Sequence, residues 1–251
     1  MTLAGQRILL VHGLMGEVMA ALRPIGIDYM HGLATWLREE GAHVAVAKLP
    51  TAEPIIRNAL ALRVAIAAEP RPPLIIAHSK GGLEALAALM EPETADRCAG
   101  FIALQSPFFG SPIADLVTTT PVFDGTAMSL TRLLKIGSGE GVRDLTTARR
   151  GAWMTTHAKA IAALLTQIPV VCVATTVLTK GAHGRDRAYA IAAAWMQARG
   201  AGPSDGLVPV SSAIIPGAKS LARQGGHLAC VSGGPGRDPV QNLKDALAVL
   251  G

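Results

Sequence analysis

Residues 73–82, with the sequence PLIIAHSKGG, decide the fold. An apolar run leads into Ser79, and the residues two before and two after this serine, Ala77 and Gly81, are small. A tight turn from a strand into a helix needs small side chains at both places, because it brings them against neighbouring backbone. Such a stretch also occurs as a plain helix cap, but the strand and helix patterns around it favour a nucleophile. We therefore predict that Ser79 lies at the carboxyl end of a central strand.

Short apolar runs alternate with longer amphipathic stretches along the chain, which predicts an α/β fold with a mostly parallel sheet flanked by helices. The predicted strands are residues 7–11, 43–48, 73–78, 100–105 and 170–177. The predicted helices, with apolar residues three and four apart, are residues 31–40, 51–68, 81–90, 158–167 and 187–198.

Residues 113–156 do not fit this alternation, because they contain a Thr-rich stretch and a Gly-rich stretch but no clear strand. We predict that they form a cap or lid inserted into a single domain of residues 1–251. The alternative is a surface loop with short helices, but an insertion of this length in a compact domain is more often functional.

The composition is that of a folded globule, with 50% hydrophobic and 16% charged residues in a chain of 251. No apolar run approaches the roughly 20 residues of a spanning helix, and no signal peptide is evident. We expect a cytoplasmic protein, or a secreted one if a signal peptide has been removed. The cysteines are odd in number and widely spaced, which favours buried free thiols over a disulfide framework; they are Cys98, Cys172 and Cys230.

The net charge of +5 is not concentrated in a basic run, and basic and aromatic residues are not interleaved. We therefore expect no nucleic-acid partner. Transient contact with a lipid or polymer surface is compatible with this charge, and the sequence indicates no obligate protein partner.

A second strand ends in a glycine-containing turn near the N-terminus, at residues 9–16, LLVHGLMG. Acyl transfer passes through a tetrahedral oxyanion, and a fixed donor facing that charge lowers the barrier by roughly 3 to 4 kcal/mol. The backbone N–H groups of Leu14 and Lys80 are the predicted donors. The alternative is a plain turn that ends a strand.

A serine hydroxyl needs a base to take its proton, and His227 is the strongest candidate among the seven histidines. It follows Gly225 and Gly226 late in the chain, in agreement with the order serine, acid, histidine. His157 and His183 are the alternatives.

The acid that orients the histidine is expected between the serine and the histidine, just after a strand. Asp205, in the stretch GPSDGLVP at residues 202–209, fits best. An aspartate in this setting is also a common turn residue. Less well placed are Asp115, Asp124, Asp144 and Asp186.

Taken together, these segments resemble the bacterial true lipases of the Pseudomonas and Burkholderia type, within the α/β-hydrolases. The similarity covers about two thirds of the chain and is weakest in the cap. It is carried by HGLMG, IDYMHGLATWLREEGAHV, IAHSKGGLEAL, SPFFGSPIAD, SDGLVPVSSA and GGHLA.

The resemblance implies an α/β-hydrolase fold with Ser79, Asp205 and His227 as the triad and the amides of Leu14 and Lys80 as the oxyanion hole. Members of that family commonly bind calcium through an acidic residue two positions after the histidine, but Ala229 occupies that position here. We therefore expect no metal and no cofactor, and no disulfide like that of some members.

The predicted activity is serine-dependent hydrolysis of a carboxylic ester through an acyl-enzyme, with a small-molecule or polymeric ester as substrate. The same triad serves polyester depolymerases, such as those acting on polyhydroxyalkanoates, and thioesterases and lactonases. A depolymerase is the closest alternative, and a non-catalytic binding module of the same fold is a further one.

Overall fold

The computed structural model describes residues 2–14, 29–119, 140–184 and 186–251. Its described strands form one parallel sheet in the order β2-β1-β3-β4-β5-β6. The strands are β1 (Arg7–Val11), β2 (His43–Val46), β3 (Leu74–His78), β4 (Gly100–Leu104), β5 (Val170–Thr176) and β6 (Lys219–Gln224). The strand order reverses around β1, so that a crevice opens at the carboxyl ends of the central strands.

All of the described helices except the last lie between strands in the sequence. They are α1 (His31–Glu39), α2 (Ile55–Ala68), α3 (Lys80–Leu89), α4 (Pro92–Ala95), α5 (Pro112–Thr119), α6 (Glu140–Arg143), α7 (Thr147–Thr156), α8 (Ala158–Gln167), α9 (Asp186–Gln197), α10 (Val210–Ala213) and α11 (Pro239–Leu250).

Alternate residues of the strands enter two separate cores, because successive side chains of a strand point to opposite faces of the sheet. In β3, Ile75 and Ala77 pack with α2, α3 and α8 on one face. Leu74 and Ile76 pack with α1 and α11 on the other. Every residue of β3 is buried, so Ser79 follows the strand at the centre of the molecule.

All five predicted strands and all five predicted helices are present; the strand at Arg7–Val11 and the helix at Ala158–Gln167 have the predicted ends, and the others are shifted. The strand predicted at residues 100–105 ends at Leu104, because Gln105 adopts a left-handed φ of 53°. The helix predicted at residues 51–68 begins at Ile55, because Pro54 before it has an extended backbone with ψ of 148°.

The elements that were not predicted from the sequence include the strand β6 and the helix α11. The strand β6, KSLARQ, is largely polar and lacks an apolar run. The helix α11 buries one face through residues such as Leu243 and Leu247, and the Asp238 side chain caps it by accepting the N–H of Gln241 at 2.8 Å. The N-cap residue Asp238 and the apolar spacing of α11 can be recognised in the sequence.

The two edge strands of the described sheet are short or largely polar. At one edge, β2 has only four residues. At the other, β6 carries Lys219 and Arg223, and its side chains are mostly exposed.

The predicted cap, residues 113–156, contains α6, α7 and nearly all of α5. Its residues 120–139 lie outside the described part of the chain. Asp144 anchors the cap to α2 by accepting the N–H of Ile55 at 2.9 Å. A lid function stays a prediction.

None of the described helices is both long and apolar enough to cross a membrane. The three cysteines are buried free thiols, as predicted. Burial raises the pKa of the Cys98 thiol to about 12 and that of Cys172 to about 11, so neither is a ready nucleophile.

Candidate active site

Ser79 occupies a strained turn between β3 and α3, with φ of 54° and ψ of −126°. A Cβ on Gly81 would lie 2.4 Å from the carbonyl oxygen of His12, and one on Gly82 would lie 2.0 Å from Ser106 Oγ. Only glycine therefore fits at these two positions without a shift of the neighbours. The close approach holds this turn, the nucleophile elbow of residues 77–81, against the end of β1. It projects Ser79 into the crevice, as the sequence of the elbow predicts.

The structure brings the three predicted triad residues together. His227 Nε2 lies 2.9 Å from Ser79 Oγ, and His227 Nδ1 lies 2.8 Å from Asp205 Oδ2. A carboxylate only accepts hydrogen bonds, so the neutral ring donates its Nδ1–H to Asp205 and presents the Nε2 lone pair to the serine hydroxyl. This arrangement can remove a proton from Ser79.

Asp205 is fixed by its own turn. Its Oδ1 accepts the N–H groups of Leu207 at 2.8 Å and Val208 at 2.7 Å. Oδ2 is thereby left facing His227. Asp205 is thus both the turn residue and the histidine partner, two roles that the sequence left as alternatives.

The alternative histidines lie elsewhere. His157 stacks on Trp153 with ring centroids 4.1 Å apart, and His183 follows β5 in a loop that lines a separate surface cavity.

The alternative acids are engaged in other contacts. Asp115 binds the N–H and hydroxyl of Thr147, and Asp144 binds Ile55 as described. Asp186 forms a buried ion pair with Arg237. Asp124 lies outside the described residues.

The two predicted oxyanion donors are positioned near Ser79. Lys80 is the first residue of α3, so its N–H has no partner within the helix. Leu14 lines the cavity above Ser79 and His227. Their role as an oxyanion hole stays a prediction.

A chain of hydrogen bonds behind the site involves two residues that the sequence did not single out. The N–H of Gly13 donates to the Tyr29 hydroxyl at 2.9 Å, and this hydroxyl lies 2.8 Å from His78 Nδ1. His78 Nε2 lies 3.0 Å from the carbonyl oxygen of His227. Because a carbonyl only accepts, His78 carries its proton on Nε2 and accepts the tyrosine O–H at Nδ1. The chain ties the glycine turn after β1 to the loop of His227.

His78 is neutral in this series of hydrogen bonds. The folded protein is therefore expected to lose stability in acid. Burial, followed by the repulsion that a charged His227 would exert, holds the pKa of His78 well below its usual value. The unfolded state then binds a proton that the folded state does not, so stability rises with pH and falls as the pH drops below about 6.5. We expect the contribution of His78 to lower the free energy of unfolding by at most about 1.4 kcal/mol per pH unit.

Urea unfolding of the wild type and of His78→Asn between pH 8 and pH 5 measures this effect. The variant should show a shallower decline with falling pH, since His12 and the carboxyl groups titrate in both proteins. Parallel declines would show that His78 does not hold its neutral form in the folded protein.

The next residue of the elbow, Lys80, forms a buried ion pair with Glu84 one helical turn later. Lys80 Nζ also donates to the carbonyl oxygen of Glu53 at 2.7 Å, and Asn58 donates to Glu84 Oε1 at 2.8 Å. Burial raises the pKa of Glu84, and the charge of Lys80 opposes this. The Lys80 side chain therefore points into the protein, away from the crevice, and only its backbone is available to a substrate.

The crevice above Ser79 leads into a largely apolar cavity. Its walls come from the loops after the strands and from the cap helices. Its lining includes Leu14, Pro107, Ile113, Ala114, Val142, Leu145, Leu207 and Leu228. Such a lining can take a hydrocarbon chain next to the serine.

No group of three or more histidine, cysteine, aspartate or glutamate side chains is arranged for a metal ion within residues 2–14, 29–119, 140–184 and 186–251. Ala229, two positions after the histidine, is fully buried and has no side-chain oxygen.

In comparisons with known proteins, no family model matches the chain, and no curated protein matches its sequence. Solved structures do match its fold. The mature lipase BlEst2 of Bacillus licheniformis superposes with a TM-score of 0.71 at 20% identity, covering 89% of this chain and 85% of the lipase. The metagenomic carboxyl esterase MGS0156 gives 0.70 at 21% identity, covering 98% and 70%.

The phospholipase PlaB of Legionella pneumophila is more distant, with a TM-score of 0.56 at 13% identity, covering 83% of this chain and 44% of the phospholipase. These likenesses confirm the predicted α/β-hydrolase fold, with its mostly parallel sheet flanked by helices. The resemblance to the Pseudomonas and Burkholderia lipases in particular stays a prediction.

Proposed function

We propose that this protein is a serine-dependent carboxylic ester hydrolase that acts through an acyl-enzyme. The observation that carries the proposal is the unbroken contact from Ser79 Oγ to His227 Nε2 at 2.9 Å and from His227 Nδ1 to Asp205 at 2.8 Å. It is supported by the fold shared with a lipase and a carboxyl esterase.

In the proposed reaction, His227 Nε2 takes the hydroxyl proton while Ser79 Oγ bonds to the ester carbonyl carbon. The carbonyl oxygen becomes an oxyanion, which the N–H groups of Leu14 and Lys80 stabilise. The bond to the alcohol oxygen then breaks, and His227 returns the proton to the departing alcohol. Asp205 keeps the ring aligned and stabilises its charged form.

The same groups hydrolyse the acyl-enzyme, with water as the nucleophile and Ser79 as the leaving group. His227 takes a proton from water, whose oxygen bonds to the acyl carbon, and then protonates Ser79 Oγ as the carboxylic acid leaves. No metal or cofactor takes part in these steps.

The apolar lining of the cavity favours substrates with an apolar acyl group. Four cap residues, Ile113, Ala114, Val142 and Leu145, contribute to its wall. We therefore assign the choice of acyl chain to the cap, residues 113–156, acting as a lid over the site.

The test combines turnover and active-site labelling. Hydrolysis of p-nitrophenyl esters from acetate to palmitate is measured with the purified chain, together with a thioester, a lactone and polyhydroxyalkanoate granules. A fluorophosphonate is expected to label one residue, Ser79, with loss of fluoride and parallel loss of esterase activity. Folded protein that neither hydrolyses any of these substrates nor takes the label would refute the proposed function and favour a binding role.

A further inference from the structure

Gln105 adopts a backbone conformation that is unfavourable for glutamine. It directly follows β4 and adopts a φ of 53°, although only glycine reaches this region without steric cost. The residue is fully buried. Strained backbone of this kind persists where the surrounding structure requires it, and it concentrates at functional sites. A glutamine kept at such a position indicates a use for its side chain.

The Gln105 side chain reaches both loops that carry the acid and the base. Its Nε2 donates to the carbonyl oxygen of Gly226 at 3.0 Å and lies 3.3 Å from Asp205 Oδ2. Its Oε1 accepts the N–H of Cys230 at 3.4 Å. The third neighbour of Nε2 is the hydroxyl of Thr175 at the end of β5. One side chain thus joins the triad acid to the residues on either side of His227.

These contacts allow only one orientation of the amide. Gly226 offers a carbonyl oxygen and Asp205 a carboxylate, and both groups only accept hydrogen bonds. The reverse orientation would place Gln105 Oε1 against two oxygens and leave the N–H of Cys230 facing a donor. The amide therefore sets the position of Asp205 relative to the histidine loop.

We propose that Gln105 is a positioning residue, which acts through Asp205 and the Gly226–Cys230 turn to hold His227 in line with Ser79. This inference rests on the proposed function, because the alignment matters only if Ser79 is activated by His227. The left-handed backbone of Gln105 directs its side chain back across the end of β5 to the acid. The side chain itself does not touch the substrate.

The test uses two variants that separate the backbone from the side chain. Gln105→Gly and Gln105→Asn both suit a left-handed backbone better than glutamine does, and neither side chain is long enough to keep these contacts. We expect kcat for a p-nitrophenyl ester to fall about 10- to 100-fold, as for small displacements of reacting groups, with KM changed less than about threefold. Cys98→Ala, a buried truncation near the amino ends of the strands, is the matched control and should keep the wild-type kcat.

A second readout does not depend on the substrate. The proton shared by His227 Nδ1 and Asp205 is expected to give a strongly downfield resonance in the proton NMR spectrum, and this resonance should shift or disappear in both Gln105 variants. Thermal melts establish that each variant is folded. Folded variants with kcat within twofold of the wild type and an unchanged resonance would overturn the positioning role.

If the wild type hydrolyses no ester but the resonance responds to Gln105, the failure lies in the proposed function and not in the contact of Gln105 with the Asp205–His227 pair.

Discussion

Replacing Ser79 with alanine is expected to abolish ester hydrolysis, with kcat lowered by about 10⁶-fold, the loss typical of removing a triad nucleophile. The structure gives the reason, because Ser79 Oγ is the hydroxyl that His227 Nε2 contacts, at 2.9 Å. Alanine keeps the Cβ of the strained turn and removes one atom, so the fold should be retained. The residual rate should come from substrate binding and the oxyanion donors alone.

Ser106→Ala is the matched control for this variant, because Ser106 is a buried serine near the end of the neighbouring strand. Its hydroxyl bonds to the carbonyl oxygen of Leu104 and not to a histidine. Circular dichroism tests whether both variants are folded, and p-nitrophenyl ester turnover measures their activity. If folded Ser79→Ala retained a substantial fraction of the wild-type rate, the nucleophile would be another group.

Replacing Lys80 with methionine is expected to cost about 3 to 5 kcal/mol of unfolding free energy, the usual result of removing one partner from a buried ion pair. Lys80 and Glu84 are 0% and 1% exposed. Without the lysine, Glu84 would keep Asn58 as its one donor among the described residues, in a place where burial already raises its pKa. Urea unfolding measures the loss, and the melting temperature should fall by roughly 6 to 20 °C for a domain of this size.

The double variant Lys80→Met with Glu84→Gln tests the cause. The neutral amide introduced at position 84 can still accept a hydrogen bond from Asn58 and carries no charge. Most of the lost unfolding free energy should therefore return. A double variant as unstable as the single one would mean that packing of the lysine stem, rather than the unpaired carboxylate, controls stability here.

The sequence predicts the parts of the site that depend on local pattern. The elbow at Ser79 could be identified because strand, turn and helix are adjacent in the chain. His227 is 148 positions away, but the glycines before it and the chain order of the triad were enough to select it. Asp205 was selected in the same way, from its place between the two.

Gln105 and Tyr29 could not be found by such patterns. Gln105 contacts Gly226 across 121 positions, and its left-handed backbone leaves no mark in the residue types around it. Tyr29 acquires its role only when the fold places it between Gly13 and His78. The strand β6 escaped prediction for a different reason, because its polar residues carry no apolar period and only pairing with β5 makes it a strand.

The ends of the sheet also bear on how separate molecules of this protein meet. An unpaired strand invites the strand of another molecule to add to it, and short length and charged side chains oppose such addition. Here β2 has four residues, and β6 carries a lysine and an arginine among mostly exposed side chains. Neither edge of the described sheet offers a long apolar template, so both edges oppose the addition of a strand from another molecule.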